Sequence, residues 1–300
     1  MEKSNKASQM KSLTDITKAQ ASLKRGKSCM KSSFFSSADY LGGFEAFREA
    51  SEIFIHNEKY DEAIECYEGL SICGDKLNDL YSAAEAKKSL AYIYLDHKND
   101  PEKAEQQIQQ CIEFLKLQGK LEKVQWVLTE FAKRSSKAGF TKLSEKVFNI
   151  VINSVFEESN YLDGVATIWQ YSDYLIENGR YKEALDLYKK HIEYTKTKEK
   201  FNSTTAKCYL SVIAIYILLG EPYVAEEKLK ELEMTCHNLI SSPYYSIATT
   251  LIDSINEKDQ DKFKKTIMIP IMSQLEINLL KALKKVNIKP EVKESEGIFT

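Results

Sequence analysis

Glycines that recur at multiples of about 20 residues constrain the fold of this chain more than any other feature. Gly119, Gly139, Gly179 and Gly220 are separated by 20, 40 and 41 residues, and Glu58 begins a similar unit. Five residues after each of these positions the side chain is mostly small: Ala63, Val124, Ser144, Ala184 and Ala225. Nine residues after each it is mostly larger and apolar: Tyr67, Leu128, Phe148, Tyr188 and Leu229. One helix with its turn needs about 20 residues, so a unit of about 40 residues is a helical hairpin. We expect each glycine to form a positive-φ turn and each small residue to let neighbouring helices approach.

The rest of the sequence also has helical periodicity. Apolar residues recur at spacings of three and four, as in Ala63, Ile64, Tyr67 and Leu70, and no run alternates as a strand would. Two polar–proline pairs indicate helix starts, with an N-cap residue followed by a proline at the first helical position. These pairs are Asp100–Pro101 and Ser242–Pro243.

The segment from Gly179 to Tyr188 resembles the second half of a tetratricopeptide unit. The predicted fold is therefore all-α, a tetratricopeptide-like right-handed solenoid of helical hairpins with a C-terminal helical bundle. We expect a basic N-terminal helix and loop over 1–40, the solenoid over 41–240, the bundle over 241–286 and a flexible tail over 287–300.

Composition excludes several classes of protein. Lys and Arg total 42 against 44 Asp and Glu, a balance that argues against a general nucleic-acid binder. No stretch approaches the roughly 18 apolar residues of a membrane span, and we find no secretory signal. The six cysteines form no CxxC pair. These features predict a cytoplasmic protein.

Signatures of catalysis are missing from the sequence. We find no nucleophile elbow, phosphate-binding loop or zinc motif, and only His237 of the four histidines neighbours a cysteine. We expect no catalytic residue, no metal and no cofactor.

An aromatic pair, Phe34–Phe35, lies in a Ser-rich segment that directly follows a basic region of the sequence. Residues 1–33 hold eight basic and two acidic side chains, a net charge of 8 − 2 = +6. The aromatic residues either pack back onto the first hairpin or form an exposed loop that enters a membrane or a partner groove. Basic charge beside apolar residues favours an anionic lipid surface, although the lysines also fit a solvated arm.

The C-terminal tail is the second candidate interaction site. Glu291, Glu294 and Glu296 precede Gly297-Ile298-Phe299-Thr300. Such a tail is either simply disordered or a docking peptide for a basic groove on a partner.

Taken in order along the chain, these motifs resemble the soluble NSF attachment proteins, the SNAP adaptors, over about residues 15–286. The resemblance rests on the following segments: Ser33–Ser36 with Gly42–Gly43, Asp100–Ala104 with Ile112–Phe114, Thr205–Tyr209, Tyr223–Glu226, Asn256–Asp261, and Met272–Glu276 ahead of Lys284–Lys285. The Phe–Phe loop is typical of the alpha branch, whereas Tyr223–Ala225 and Asp259–Asp261 are typical of the gamma branch.

The resemblance implies an adaptor that binds the four-helix SNARE bundle and recruits the AAA ATPase NSF, which disassembles the bundle during vesicle-mediated transport. It assigns membrane contact to Phe34 and Phe35 and SNARE binding to Lys207. It also implies a peripheral association with the cytosolic face of membranes. The resemblance assigns NSF binding to four residues of the C-terminal tail: Glu294, Glu296, Ile298 and Phe299.

The sequence departs from the family pattern at three expected basic positions, which hold Trp126, Ala166 and Gln170. A weaker or differently charged SNARE contact follows from these neutral residues. The competing hypothesis is a generic tetratricopeptide scaffold that binds a peptide in its concave groove, and an enzyme is the third.

Overall fold

The computed structural model describes residues 2–32, 37–156 and 161–288, with side chains from residue 15 onward except at 163. Within these ranges the secondary structure is entirely helical, which confirms the predicted all-α class. Three short 3₁₀ segments lie at Glu199–Phe201, His237–Leu239 and Pro270–Gln274. The α-helices are α1 Glu2–Cys29, α2 Tyr40–His56, α3 Tyr60–Lys76, α4 Leu80–Asp96, α5 Pro101–Leu117, α6 Leu121–Lys137, α7 Thr141–Val155, α8 Tyr161–Glu177, α9 Tyr181–Thr195, α10 Asn202–Leu218, α11 Pro222–Thr235, α12 Pro243–Asn256, α13 Gln260–Ile267 and α14 Ile277–Leu283.

The repeated glycines form the helix-ending turns that the sequence predicts. Gly119, Gly139, Gly179 and Gly220 have φ values of 72°, 88°, 70° and 72°, in the left-handed region that glycine adopts without a steric penalty. A Cβ atom added at any of them would meet no other atom within 4 Å. Backbone conformation, rather than space, therefore requires glycine at these positions.

Other turns adopt the same conformation without glycine. The positive-φ residues there are Glu58, Asn78, Asn99 and Lys258, with φ between 52° and 59°. The four glycines, Glu58, Asn78 and Lys258 are C′ residues, two positions after the end of a helix, whereas Asn99 follows the end of α4 by three positions. The left-handed turn thus recurs about every 20 residues through much of the chain.

A backbone hydrogen bond closes these turns. In seven of these eight turns the N–H after the left-handed residue donates to a carbonyl five residues earlier, as in Lys120 to Leu115 at 2.9 Å and Lys59 to Phe54 at 2.8 Å; after Asn99, Asp100 donates to Tyr94, six residues earlier. This is the longer bond of a Schellman motif, and it satisfies a carbonyl that the helix end would leave unpaired. Because the bond joins main-chain atoms only, glycine and non-glycine turns close alike.

Side-chain caps mark several helix starts. The Asp100 carboxylate accepts from the Lys103 N–H, with Pro101 at the first position of α5, and the Ser242 hydroxyl accepts from the Tyr245 N–H at α12. Both predicted starts are confirmed. Asp39, Asp79 and Asp259 cap α2, α4 and α13 in the same way.

Helices of the first compact unit, Met1–Gly164, pack in chain order. Each of α1 to α6 packs against the next helix, and α1 also reaches α3 while α4 reaches α6. The position five residues after each left-handed turn is buried, for example at Ala63, Ala104 and Ser144. This arrangement is the expected stacking of helical hairpins, in which each hairpin buries its apolar face against its neighbours.

Phe47 of α2 joins the first three helices. Its ring lies against Gly26 of α1 and Gly69 of α3, where an added Cβ would approach ring atoms to 2.8 and 2.5 Å. Both glycines therefore provide the space that lets one aromatic ring pack between two neighbouring helices.

The second compact unit, Val165–Thr300, is organised around α10. This helix is buried on most of its circumference and packs against α9, α11, α12 and α14. Helices α12 and α13 pack on each other. The boundary between the two units, at Gly164 and Val165, falls within α8. The domain limits expected from the sequence, 1–40, 41–240, 241–286 and 287–300, remain predictions. Among the described residues, no helix has the length and apolar character required to cross a bilayer.

Replacing Gly139 with alanine should destabilise the first unit by about 1–2 kcal/mol, because φ at this position is 88° and a Cβ atom penalises left-handed backbone. Urea denaturation provides the measurement. Glu58→Gly is the matched reverse change, and we expect it to stabilise the unit or leave it unchanged. Equal stability of Gly139→Ala and the wild type would show that the turn relaxes to another conformation.

Candidate functional site

Only one of the predicted site residues, Lys207, lies in the described part of the chain. The predicted membrane-contact residues Phe34 and Phe35 fall outside the described residues. The same is true of the predicted NSF-binding residues Glu294, Glu296, Ile298 and Phe299.

Lys207 lies on α10, and only 16% of its side chain is exposed. Its Nζ is 3.6 Å from the Glu276 carboxylate and 3.7 Å from the centroid of the Trp169 ring. The ammonium group is thus held between a buried anion and an aromatic face, both of which attract a cation. Much of its charge is directed into the second unit.

Glu276, which immediately precedes α14, is the anion of this pair. Its side chain is 1% exposed, and one carboxylate oxygen accepts from the Ser211 hydroxyl at 3.3 Å. Burial raises the pKa of this carboxyl group, and the nearby Lys207 charge opposes the rise. Truncating either partner would leave the other poorly compensated in the interior.

His191 of α9 lies beside the same pair. It is fully buried, with Nδ1 3.4 Å from the Cys208 sulfur and its ring centroid 4.9 Å from that of Trp169. Burial, and secondarily the charge of Lys207, lowers the pKa of His191 to about 3. The imidazole is therefore neutral near pH 7 and serves as a packed interior group.

Polar side chains fix the end of the described chain. Asp173 of α8 accepts two bonds from Asn278, from the main-chain N–H at 2.7 Å and from the side-chain amide at 2.9 Å. Gln260 of α13 accepts from the Ile288 N–H at 2.6 Å and donates to the Val286 carbonyl at 3.3 Å. The residues that precede the predicted NSF-binding tail are therefore anchored to the second unit.

The basic N-terminal helix is partly neutralised by its neighbours. Lys18 and Arg25 form ion pairs with Glu49 of α2 at 2.7 and 3.8 Å, and Lys27 pairs with Glu65 of α3. Exposed pairs of this kind contribute little to stability. They do align α1 on α2 and α3, and they reduce the free positive charge that the sequence predicts for this region.

Trp126, one of the three neutral departures, lies in a groove between α4 and α6. Its side chain is 58% exposed, and the Lys88 ammonium lies 5.5 Å from the ring centroid. Tyr81 lines the same groove of about 450 Å³, with the Lys123 ammonium 4.1 Å from its ring. This surface, which we call the α4–α6 groove, combines exposed aromatic rings with two lysines and two glutamates, Glu85 and Glu122, and Glu85 pairs with Lys88 at 2.6 Å.

The other two departures, Ala166 and Gln170, lie on α8. Ala166 is exposed and Gln170 is half-buried, so neither supplies charge. Sequence reasoning missed both the α4–α6 groove and the pairing of Lys207 with Glu276. The spacing of Tyr81, Glu85 and Lys88 on α4 (i, i+4 and i+7) gives no sign of the groove, because its other wall comes mainly from α6.

We expect His191→Gln to remove one source of acid destabilisation in the second unit. The folded state keeps this imidazole neutral down to about pH 3, while the unfolded state takes up a proton below about pH 6.5. Stability is therefore present above pH 6.5 and is lost as pH falls, approaching about 1.4 kcal/mol per pH unit relative to the variant.

Urea denaturation at several pH values, followed by Trp169 fluorescence in a Trp126→Phe background, measures the difference. The single remaining tryptophan lies 4.9 Å from the His191 ring and reports on the second unit. Parallel pH dependences of the two proteins would contradict the lowered pKa.

Comparisons with known proteins agree with the resemblance found in the sequence. Residues 11–285 match the family described as soluble NSF attachment protein, SNAP. The chain is also 23% identical over 271 residues to the gamma-soluble NSF attachment protein of Dictyostelium discoideum, and the match covers 90% of this chain and 82% of that protein.

Proposed function

Because the chain belongs to the soluble NSF attachment protein family, we propose that it binds assembled SNARE complexes and recruits the AAA ATPase NSF for their ATP-driven disassembly. The observation that carries the proposal is the family match over residues 11–285, which includes nearly the whole described fold. In this role the chain is an adaptor in vesicle-mediated transport, and NSF hydrolyses the ATP.

Stacked hairpins suit an adaptor that must transmit force from an ATPase to a helical bundle. Each helix of the first unit packs against its chain neighbours, and short turns closed by backbone hydrogen bonds join several of them. Such an array gives a long surface for another elongated structure, and its packed interior resists bending.

For the SNARE contact we propose Lys207 in the second unit and, as an independent contact of the first unit, Trp126 in the α4–α6 groove. In the groove Lys123 lies beside Tyr81, whereas Lys88, beside Trp126, is mostly buried and pairs with Glu85 at 2.6 Å. Contact there would rest mainly on burial of the two aromatic rings, with Glu122 and the Lys123 cation available for polar contacts.

Membrane contact is proposed for Phe34 and Phe35 and NSF contact for Glu294, Glu296, Ile298 and Phe299. The adaptor would then act while associated peripherally with the cytosolic face of a membrane. A reversible membrane contact raises the local concentration of the adaptor near membrane-anchored SNAREs without a new protein contact.

Disassembly of purified SNARE complexes by NSF and ATP, with and without this chain, tests the proposal directly. Disassembly that depends on the chain would support the adaptor function. Absence of both binding and disassembly across several SNARE sets would overturn it.

The double variant Phe34→Ser/Phe35→Ser should slow disassembly of SNARE complexes anchored in liposomes and leave soluble complexes unaffected. The physical reason is loss of the membrane contact alone, since the SNARE and NSF surfaces are unchanged. Disassembly rates on the two substrates provide the measurement. An equal loss on both substrates would contradict the assignment.

Lys207→Glu should weaken SNARE binding with a strong dependence on salt concentration, because it reverses the charge of the proposed contact. It also places a carboxylate beside the buried Glu276, so Lys207→Gln is the cleaner variant. For Lys207→Gln we expect roughly a threefold to tenfold loss of affinity at low salt.

Lys230→Gln on α11 is the matched control, because Lys230 is exposed and forms a local pair with Glu226. Thermal melts of all three variants separate a binding defect from unfolding. Unchanged binding of folded Lys207→Gln at low salt would remove Lys207 from the site.

A second candidate function is capture of a peptide in the α4–α6 groove. The exposed rings of Trp126 and Tyr81, each with a lysine nearby, favour it. Trp126→Ala would then abolish peptide binding, whereas the adaptor function predicts only a partial loss of SNARE affinity.

A further inference from the structure

The last described segment of the chain, residues 275–288, is held on the second unit by polar contacts with three other helices. It contains α14, which has seven residues and is too short to be stable as an isolated helix in water. Glu276, Asn278 and Ile288 contact α10, α8 and α13, respectively. We call this segment the C-terminal anchor. It is fixed both at its start and at its end.

Asp173 of α8 caps the start of α14, although the two lie 105 residues apart in sequence. Glu276 occupies the N-cap position, but its side chain makes no capping bond, since its carboxylate lies beside Lys207. The Asp173 carboxylate accepts instead from the Asn278 N–H at 2.7 Å and from the Asn278 side-chain amide at 2.9 Å. A carboxylate from α8 thus satisfies a helix-start N–H that has no partner within its own helix.

Gln260 of α13 holds the other end of the anchor. Its side-chain amide donates to the Val286 carbonyl at 3.3 Å and accepts from the Ile288 N–H at 2.6 Å. One amide therefore bonds the main chain on both sides of Asn287. Because both its donor and its acceptor are used, the contact fixes the direction of the chain as well as its position.

Apolar side chains fill the space between these two ends. Leu279 and Leu283 lie one turn apart on α14 and are fully buried, and Leu275 and Ile288 are buried on either side of them. Helix α14 packs against α10. Apolar burial stabilises the attachment but has no directional preference, so the hydrogen bonds at the two ends set the register of the segment.

We propose that Asp173 and Gln260 are positioning residues for the contact with NSF, because they hold the point at which the chain leaves the second unit. The inference rests on the proposed function, which assigns NSF contact to the tail from Glu294 onward. Six residues (294 − 288) separate Glu294 from the anchored Ile288. Release of the anchor would lengthen this tether to 20 residues (294 − 274).

A longer tether transmits force less directly. An extended chain spans at most about 3.3–3.6 Å per residue, so 14 additional residues (20 − 6) would add up to about 50 Å of slack. An ATPase that acts through the tail must take up this slack before force reaches the second unit. The affinity of NSF for the tail depends on residues outside the anchor. Loss of the anchor should therefore slow disassembly more than it weakens binding.

Variants of Asp173 test the proposal in the full-length chain. Asp173→Ala removes both bonds to Asn278. Asp173→Asn is the conservative variant, since its oxygen accepts from the Asn278 N–H and its amide donates to the Asn278 side-chain oxygen once that amide is turned over. Asp186→Ala on α9 is the matched control, because Asp186 is 74% exposed and pairs locally with Lys189.

Two measurements are compared. Hydrogen–deuterium exchange over 275–288 should be roughly tenfold faster in Asp173→Ala, because the cap of α14 is lost. In disassembly of soluble SNARE complexes by NSF and ATP, the maximal rate should be roughly threefold to tenfold lower, while the adaptor concentration at half the maximal rate changes by less than about twofold. Asp173→Asn should recover most of the rate, and Asp186→Ala should match the wild type.

An unchanged maximal rate in an Asp173→Ala protein whose anchor exchanges faster would overturn the proposal. So would a loss that Asp173→Asn fails to restore and that affects SNARE binding equally, since it would indicate general destabilisation. Unchanged exchange over 275–288 in the double variant Asp173→Ala/Gln260→Ala would show that these residues do not hold the anchor, and it would also overturn the proposal.

The wild-type protein separates this inference from the proposed function. A wild type that supports no disassembly would refute the adaptor function and this inference with it. A wild type and an Asp173→Ala variant that support disassembly equally well would leave the adaptor function intact and refute the positioning role alone.

Discussion

The left-handed turn closed by a backbone hydrogen bond is the constraint on which the stacked helices depend. It ends a helix, reverses the chain within about three residues and starts the next helix, so consecutive helices become antiparallel neighbours. The buried small residue five positions later then lets the helices approach. Alternation of turns between two opposite edges of the first unit follows from the same geometry.

Where a turn contains glycine, the sequence predicted it, because glycine is the residue for which left-handed backbone has no steric cost. The turns centred on Asn78, Asn99 and Lys258 were not predicted, because asparagine and lysine occur in many backbone conformations. Only the structure, through the positive φ and the backbone hydrogen bond, identifies these turns. Helix starts at Asp100 and Ser242 were predictable because capping is local. The all-α class followed from periodicity along the whole chain.

The surroundings of Lys207 were not predictable, because they depend on residues far apart in sequence. Its partner Glu276 is 69 residues away (276 − 207), and Trp169 and His191 come from two other helices. Helical periodicity places a residue on a face of its own helix, but it does not identify the helix that will cover that face. A lysine assigned to a surface contact can therefore have most of its side chain in the interior.

Packing in chain order makes the first unit a nearest-neighbour structure, in which most contacts join residues close in sequence. Its contact order is correspondingly low, so we expect folding to spread rapidly from one hairpin to the next and fraying at an end to stay local. The Phe47 ring, which packs against both Gly26 and Gly69, couples three helices instead of two. Opening of the N-terminal end therefore separates three helices together, so fraying is less local there than at a turn that joins only two helices.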